Sequence, residues 1–357
     1  AESTEKSTKV QLPAKELSEE DKQLVETLKM LVDRIVEQGV TEDLKMAAIN
    51  ALREQINSST SSISSIPKAL KYLLPHYVTL KTAYRQMTAT SPIALHLAHI
   101  LSVLAMTFEG DQEVAVVVEG AENKERQERE SLHFYLASQA LNEPLDAWGH
   151  EYTKHLAKEI GEEFQANGRQ IDHLLPVINQ LVPFFLRHNA EPAACDLLVE
   201  VDCLELIVAA VKQEGEAIDY ARVCRYLAGC VALELYPADQ RILEALLAIY
   251  LDRMDLPWAL VTALRLNSPE RLRAVFAAAS QDPSMKRQLA FMLARQRVAI
   301  DKVGVDRAEE ELLQEIMFNS NLSKHYLELA KELQILAPKD PEDLFKSAAV
   351  GSTDPLR

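Results

Sequence analysis

Glycine is scarce, with 10 in 357 residues, against about 7% in average proteins. Glycine serves tight turns, bulges and phosphate-cradling loops. A dinucleotide-binding domain, a P-loop domain or a β-sandwich needs more of it. Cysteine is also sparse: Cys195, Cys203, Cys224 and Cys230 lie in apolar stretches without CxxC spacing. They read as buried free thiols of a reducing compartment. Aromatic residues make up 6% of the chain and do not interleave with Lys or Arg, which weakens any nucleic-acid stacking role. No apolar run reaches the about 18 residues of a membrane span. The opening residues AESTEKSTKV hold no apolar signal core and no initiator Met, so the chain is read as processed or as a piece of a longer one. GxSxG, GxxxxGK[ST] and GxGxxG are absent, and no Cys is followed by a plausible His/Asn set.

What is present favours helices. Apolar residues are 48% and charged residues 26% of the chain, the balance of an ordinary folded protein. Leu, Ala, Glu and Lys, all good helix formers, are abundant. The net charge of −16 repels phosphate backbones and anionic lipid. Neither nucleic acid nor membrane is therefore an expected partner, and a basic protein face is a better one. The plainer reading is that the charge serves solubility.

Ser18 reads as an N-cap followed by Glu19, Glu20 and Asp21 at the positive end of a helix. Leu24, Leu28, Leu31, Val32, Ile35 and Val36 then recur at helical spacing up to a stop at Gly39. Thr41 caps a second helix with the stripe Leu44, Ala48, Ala51, Leu52 and Ile56, which makes an αα-hairpin. The Ser-rich residues 57–66 form a connection, either a phosphorylation or docking loop or a plain linker. Pro67 starts a short helical piece that Pro75 interrupts. Ser91-Pro92 opens a helix to about Phe108 that is apolar almost all round and must be covered on most sides. The β-branched VAVVV at 114–118 could form a short strand, and the mixed charges at 122–130 a solvated helix or loop.

Helices are expected at 145–164, 171–188, 191–211, 217–233, 238–252, 255–266, 269–280, 283–296, 306–318 and 322–334. Pro176 and Pro183 suggest a kinked or split second helix. Asp255-Leu256-Pro257, Asn267-Ser268-Pro269 and Asp282-Pro283 read as cap-plus-Pro starts. Short joins make neighbours antiparallel, and pairs recur every about 35–40 residues without a repeated motif. The expected fold is all-α, with stacked antiparallel helix pairs forming an α-solenoid-like array.

One stretch imitates a metal site. His150-Glu151-Tyr152-Thr153-Lys154-His155 resembles the zinc-hydrolase HExxH but carries one residue more. An i, i+5 pair lies about 140° apart on a helix, against about 40° for i, i+4. The two imidazoles therefore cannot share a metal from a regular helix. Trp148 as an anchor of the helix start, with His155 as filler, is the simpler reading. His96 and His99 could offer two ligands, but no acidic or Cys partner lies nearby in sequence, which favours core or interface histidines. No catalytic, cofactor-binding or metal residue is assigned, and no cofactor is expected. Leu12, Leu17 and the first hairpin could dock a partner helix, or the tail could stay with the body.

Several strings are distinctive and occur in order: LSEEDKQL at 17–24, SSTSSISSIPKALKYLLPHY at 58–77, SVLAMT at 102–107 and WGHEYTKHLAKEI at 148–160. HNAEPAACDLLVEV at 188–201, KRQLAFMLARQ at 286–296 and NSNLSKHYLELAKELQILAPKDPEDLFK at 319–346 follow. Together they resemble the amino-terminal part of the largest non-ATPase subunits in the base of the 26S proteasome regulatory particle. The resemblance runs from Leu17 to Lys346, and residues 109–131 depart from the family pattern.

The resemblance implies a non-catalytic scaffold, cytoplasmic and nuclear, that contacts ATPase-ring subunits and other regulatory-particle subunits. It implies that ubiquitin, shuttle factors and a deubiquitinase bind a Gly/Ala-rich repeat toroid, which the scarce Gly places outside this chain. The competing readings are an unrelated α-solenoid adaptor and, least, a metal hydrolase at 150–155. The organisation expected is a disordered tail at 1–17, an amino-terminal helical region at 18–108 and an insertion or irregular linker at 109–143. A helical-hairpin array at 144–340 and a tail at 341–357 leading to the toroid complete it.

Overall fold

The computed structural model describes residues 18–37, 39–58, 68–109 and 129–335. The tails expected at 1–17 and 341–357, the VAVVV stretch and most of the Ser-rich connection lie outside these residues. Among the described residues there is no strand, and every regular element is helical. The all-α expectation with stacked helix pairs therefore holds. Contacts divide the chain into two compact units, Ala1–Asp219 and Tyr220–Arg357. The division falls inside the stretch read as one array, 144–340.

The first unit begins with α1 (Glu19–Val36) and α2 (Glu42–Ser58). The Ser18 side chain accepts from Asp21 N at 3.2 Å, satisfying one free donor of the first turn. Leu28, Leu31, Val32 and Ile35 are buried against α2, whose Ala48, Ile49, Leu52 and Ile56 answer them. Leu44, expected in that stripe, is exposed. Pro75 interrupts as expected: α3 (Lys68–Leu73) passes through a 3-10 turn into α4 (Tyr77–Gln86).

The centre of this unit is α5 (Pro92–Glu109), capped by Ser91 on Ala94 N at 3.1 Å. Ile93, Ala94, Leu97, Ala98, Ile100, Leu101, Val103, Leu104 and Ala105 are all buried. Buried positions therefore occupy every side of the helix, and α2, α3, α4 and α6 (Glu130–Ser138) cover it. A regular helix, α6, thus lies inside the stretch read as an insertion or irregular linker at 109–143.

The rest of the unit is α7 (His150–Ala166), α8 (Leu175–Arg187), α9 (Glu191–Glu200) and α10 (Glu205–Glu214). Pro183 sits within α8 without splitting it. The single helix expected at 191–211 is two. The chain turns at Asp202, which takes a left-handed φ of 62°, a conformation Asp tolerates through local hydrogen bonding.

The second unit holds α11 (Tyr220–Cys230), α12 (Ala238–Asp252), α13 (Leu256–Arg265), α14 (Pro269–Ala278), α15 (Pro283–Gln296), α16 (Arg307–Met317) and α17 (Ser320–Glu332). Neighbours in sequence pair along the series except α14 and α15, where α15 packs on α13 instead. Ser268 caps α14 on Arg271 N, and Asp282 caps α15 on Ser284 N and Met285 N. Asp255 stands at the N-cap of α13 but makes no capping bond. Its carboxylate instead accepts from the Tyr220 hydroxyl at 3.4 Å. The 301–306 turn closes on α16 through Glu310, which accepts from the backbone N–H of Lys302, Val303 and Gly304. Gly304 lies so near that a Cβ would stand 2.5 Å from Glu310 N.

Polar groups inside the first unit are chained together. The Ser102 hydroxyl donates to the Ser131 carbonyl at 2.6 Å, so it must accept from the Tyr152 hydroxyl, also at 2.6 Å. Both side chains are fully buried. Ser102→Ala should lower stability by about 1–3 kcal/mol, because it strands two buried groups. Tyr152→Phe should cost less, since Ser102 keeps its own acceptor. Chemical denaturation of both variants checks the order; a Tyr152→Phe loss exceeding that of Ser102→Ala would refute the chain's direction.

Candidate interaction surface

The histidines singled out by spacing go to different places. Gly149, at φ 86°, turns the chain into α7. The His150 ring then lies 5.1 Å from that of Phe184 and 5.0 Å from that of His188. Burial and the neighbouring His188 lower its basicity. His155 Nε2 meets Glu159 Oε1 at 2.9 Å. The two rings thus meet different neighbours. Among the described residues no group of three His, Cys, Asp or Glu is placed to hold a metal.

His99 is buried on α5, and its Nε2 accepts the indole N–H of Trp148 at 3.0 Å. Trp148 thereby ties the segment before α7 to α5. The Arg53 guanidinium also stands 5.8 Å from the Trp148 ring. Burial, with the nearby Arg53 charge, pulls the His99 pKa down to about 4. His96 is half-buried, and the same two causes lower it.

The four cysteines are free, Cys195 and Cys224 buried and the other two only half-buried. Burial raises the Cys203 thiol and pushes Cys224 up to about 12. Neither is an activated thiolate. In the first hairpin Lys22 and Lys29 are exposed and Lys45 is half-buried.

The feature that spacing did not single out is a groove along α8. Its buried stripe is Val177, Ile178, Leu181, Val182 and Phe185. Asn179, Gln180, Pro183, Phe184 and Arg187 fall on the other side. They line a cavity of about 470 Å³ with Pro144, Leu145, His188, Gln213 and Glu214. An adjoining cavity of about 400 Å³ shares Pro144 and Gln180 and adds His99, Gln139, Asn142 and Glu143. Each end carries a closed ion pair. Arg53 grips both oxygens of Glu143 at 2.7 and 2.6 Å, and Arg187 those of Glu214 at 2.8 and 2.5 Å. Both carboxyls are held below their ordinary range by their arginines. The signal available in sequence was Phe184, an aromatic residue beside the buried stripe instead of within it.

The second unit exposes apolar residues of its own. Leu233, Leu235 and Tyr236 are 84%, 84% and 75% exposed in the turn after α11. Met254 and Trp258 stand out at the start of α13, and Tyr326, Leu327 and Leu329 on α17. Isolated exposed apolar residues are ordinary, but consecutive ones mark contact surfaces.

Residues 28–349 match the family model described as the RPN1 N-terminal domain. The chain is 36% identical over 334 residues to the 26S proteasome non-ATPase regulatory subunit 2 of Dictyostelium discoideum, covering 93% of this chain and 34% of that protein. It is 38% identical over 335 residues to the 26S proteasome regulatory subunit rpn1 of Schizosaccharomyces pombe, covering 93% and 34%. With the Candida glabrata regulatory subunit RPN1 it shares 37% over 356 residues, covering 93% and 33%. The chain thus spans about a third of the length of these curated relatives.

His99 gives a pH prediction. Its pKa of about 4 in the fold lies below the 6.5 of an exposed His. The neutral form is therefore favoured by folding, and its stabilisation is complete above pH 6.5. It is lost as pH falls toward 4, by up to about 3 kcal/mol. NMR titration of the imidazole should give a midpoint near 4, with Trp148 fluorescence changing in step. A midpoint at 6.5 would show that the His99–Trp148 contact is not closed.

Proposed function

The chain belongs to the RPN1 N-terminal domain family, and on that premise we propose that it is the amino-terminal part of a scaffold subunit of the 26S proteasome regulatory particle. It does no chemistry of its own in this reading. It helps hold receptors for ubiquitin and ubiquitin-like domains beside the ATPase ring, in the service of ubiquitin-dependent degradation. The observation that carries the reading is the match over residues 28–349, joined to the identity of its relatives as regulatory, non-ATPase subunits. Contacts with ubiquitin, shuttle factors and a deubiquitinase are assigned to the repeat toroid of the whole protein. Contacts with ATPase-ring and other regulatory-particle subunits are assigned in part to this chain. The proposed setting is the cytoplasm and nucleus.

Three physical features support a scaffold. Charged groups inside the helical stack serve packing: Lys81 pairs with Glu130 and Lys286 with Glu309. The cysteine thiols whose acidity shifts are held in the protonated form. Both units also expose apolar residues suited to partner contacts.

A tagged form of the protein carrying this region should co-purify proteasome ATPases in fixed proportion. Crosslinking in the assembled particle should join Lys22 or Lys29 of the first hairpin to the ring. Recovery with none of the ATPases would sink the proposal. Uniformly unreacted lysines would remove the hairpin as the contact.

A further inference from the structure

We propose that the groove along α8 is a binding site for an extended, lysine- or arginine-bearing polypeptide segment of a partner protein. The inference stands apart from the question of which complex the chain joins.

The groove wall is rich in carboxamides. Asn179 and Gln180 project from α8, Asn142 from the segment before α7, and Gln213 from the end of α10. All four are exposed, and among the described residues their side chains make no hydrogen bond. Gln139 lines the first cavity with a buried Nε2 that has no acceptor. A carboxamide both donates and accepts. A row of them therefore matches the alternating N–H and C=O groups of an extended chain, whatever its sequence. A helical partner satisfies its own backbone and would leave these amides unmatched.

The floor supplies the apolar part. Phe184 and Pro183 stand beside Leu145, and the Phe184 ring lies 4.3 Å from that of His188. The 13 residues of α8 rise about 20 Å, the length of about six extended residues. That is a peptide-sized trough. Phosphate is disfavoured, because the two arginines on its rim are already held by carboxylates.

Charge decides the sign of the segment. Residues 143–219 hold fifteen Asp and Glu against five Lys and Arg, ten of the chain's sixteen excess negative charges. Residues 220–335 are balanced at fifteen each. The field around the groove therefore draws cationic segments and repels acidic ones.

The test uses the 357-residue chain and dye-labelled decapeptide pools. In each pool two lysines flank, at both ends, a mixed core of Ala, Ser, Thr and Val. Fluorescence anisotropy should show saturable binding that weakens with salt. Glutamate-flanked pools, and pools with alternate core amides N-methylated, should bind at least about tenfold more weakly. Asn179→Ala/Gln180→Ala should lose about tenfold in affinity, and Gln180→Lys should reject the lysine pool, both with an unchanged thermal midpoint. Three results would overturn the proposal: no binding at about 1 mM, equal binding of lysine and glutamate pools, or full affinity in the Asn179/Gln180 double variant. Tighter binding of a peptide copying residues 6–15 would assign the groove to the chain's own amino-terminal segment instead.

Discussion

The first unit depends on one constraint, the burial of a helix that is apolar on every side. Little of α5 can be offered to water, so α2, α3, α4 and α6 all lie against it. Each of these helices has its own stripe directed inward, and their outer faces are then free to be polar. The few polar groups on α5 are consistent with this. Ser102 is linked to Tyr152 and to the Ser131 carbonyl, and His99 takes the indole proton of Trp148. A central helix with such fixed side contacts specifies one arrangement of its neighbours, where greasy contact alone would permit several.

Charged groups finish what α5 begins. Lys81 is almost fully buried and reaches Glu130 in the first turn of α6, and the Tyr77 hydroxyl donates to the same carboxylate. Arg129, at the N-cap of α6, provides no side-chain cap. Glu159 of α7 does so from across the interface, accepting from Leu132 N. In the second unit Lys286, 2% exposed, is bound to Glu309, while Glu310 gathers three backbone N–H groups of the preceding turn. Burial presses the Glu310 carboxyl upward, yet those N–H groups hold it below its ordinary range. Such placements cost desolvation and return geometry.

Much of this was legible because helix signals are local. The range 283–296 follows from cap and period and 238–252 from period alone, and Ser18, Ser91, Ser268 and Asp282 cap where their neighbours indicate. The break at Asp202 was not legible, because nothing nearby is Gly or Pro. It belongs to a habit of this chain. Asn142, Asn189, Asp202, Asn267 and Asn319 all take positive φ between helices, where Asn and Asp substitute for glycine. Arg169, Met254, Arg297, Lys302 and Gln334 take positive φ as well, so residues other than Gly, half of them Asx, fill these left-handed positions. The exchange of capping partners at Asp255 and Glu159 is tertiary, and no local pattern records it.

The groove along α8 was hidden for a related reason. Asn179 and Gln180 read in sequence as the solvated face of an amphipathic helix, which they are. What changes their meaning is that Pro144, Leu145 and Gln213 stand opposite them, brought there by tertiary packing. The same principle separates this site from the buried pairs. Lys81 and Glu159 have partners inside the first unit and hold it still. The groove amides have none among the described residues, on a frame those pairs keep rigid. A surface whose amides are unmatched but whose backbone is held by packed helices loses little backbone freedom on meeting a complementary chain.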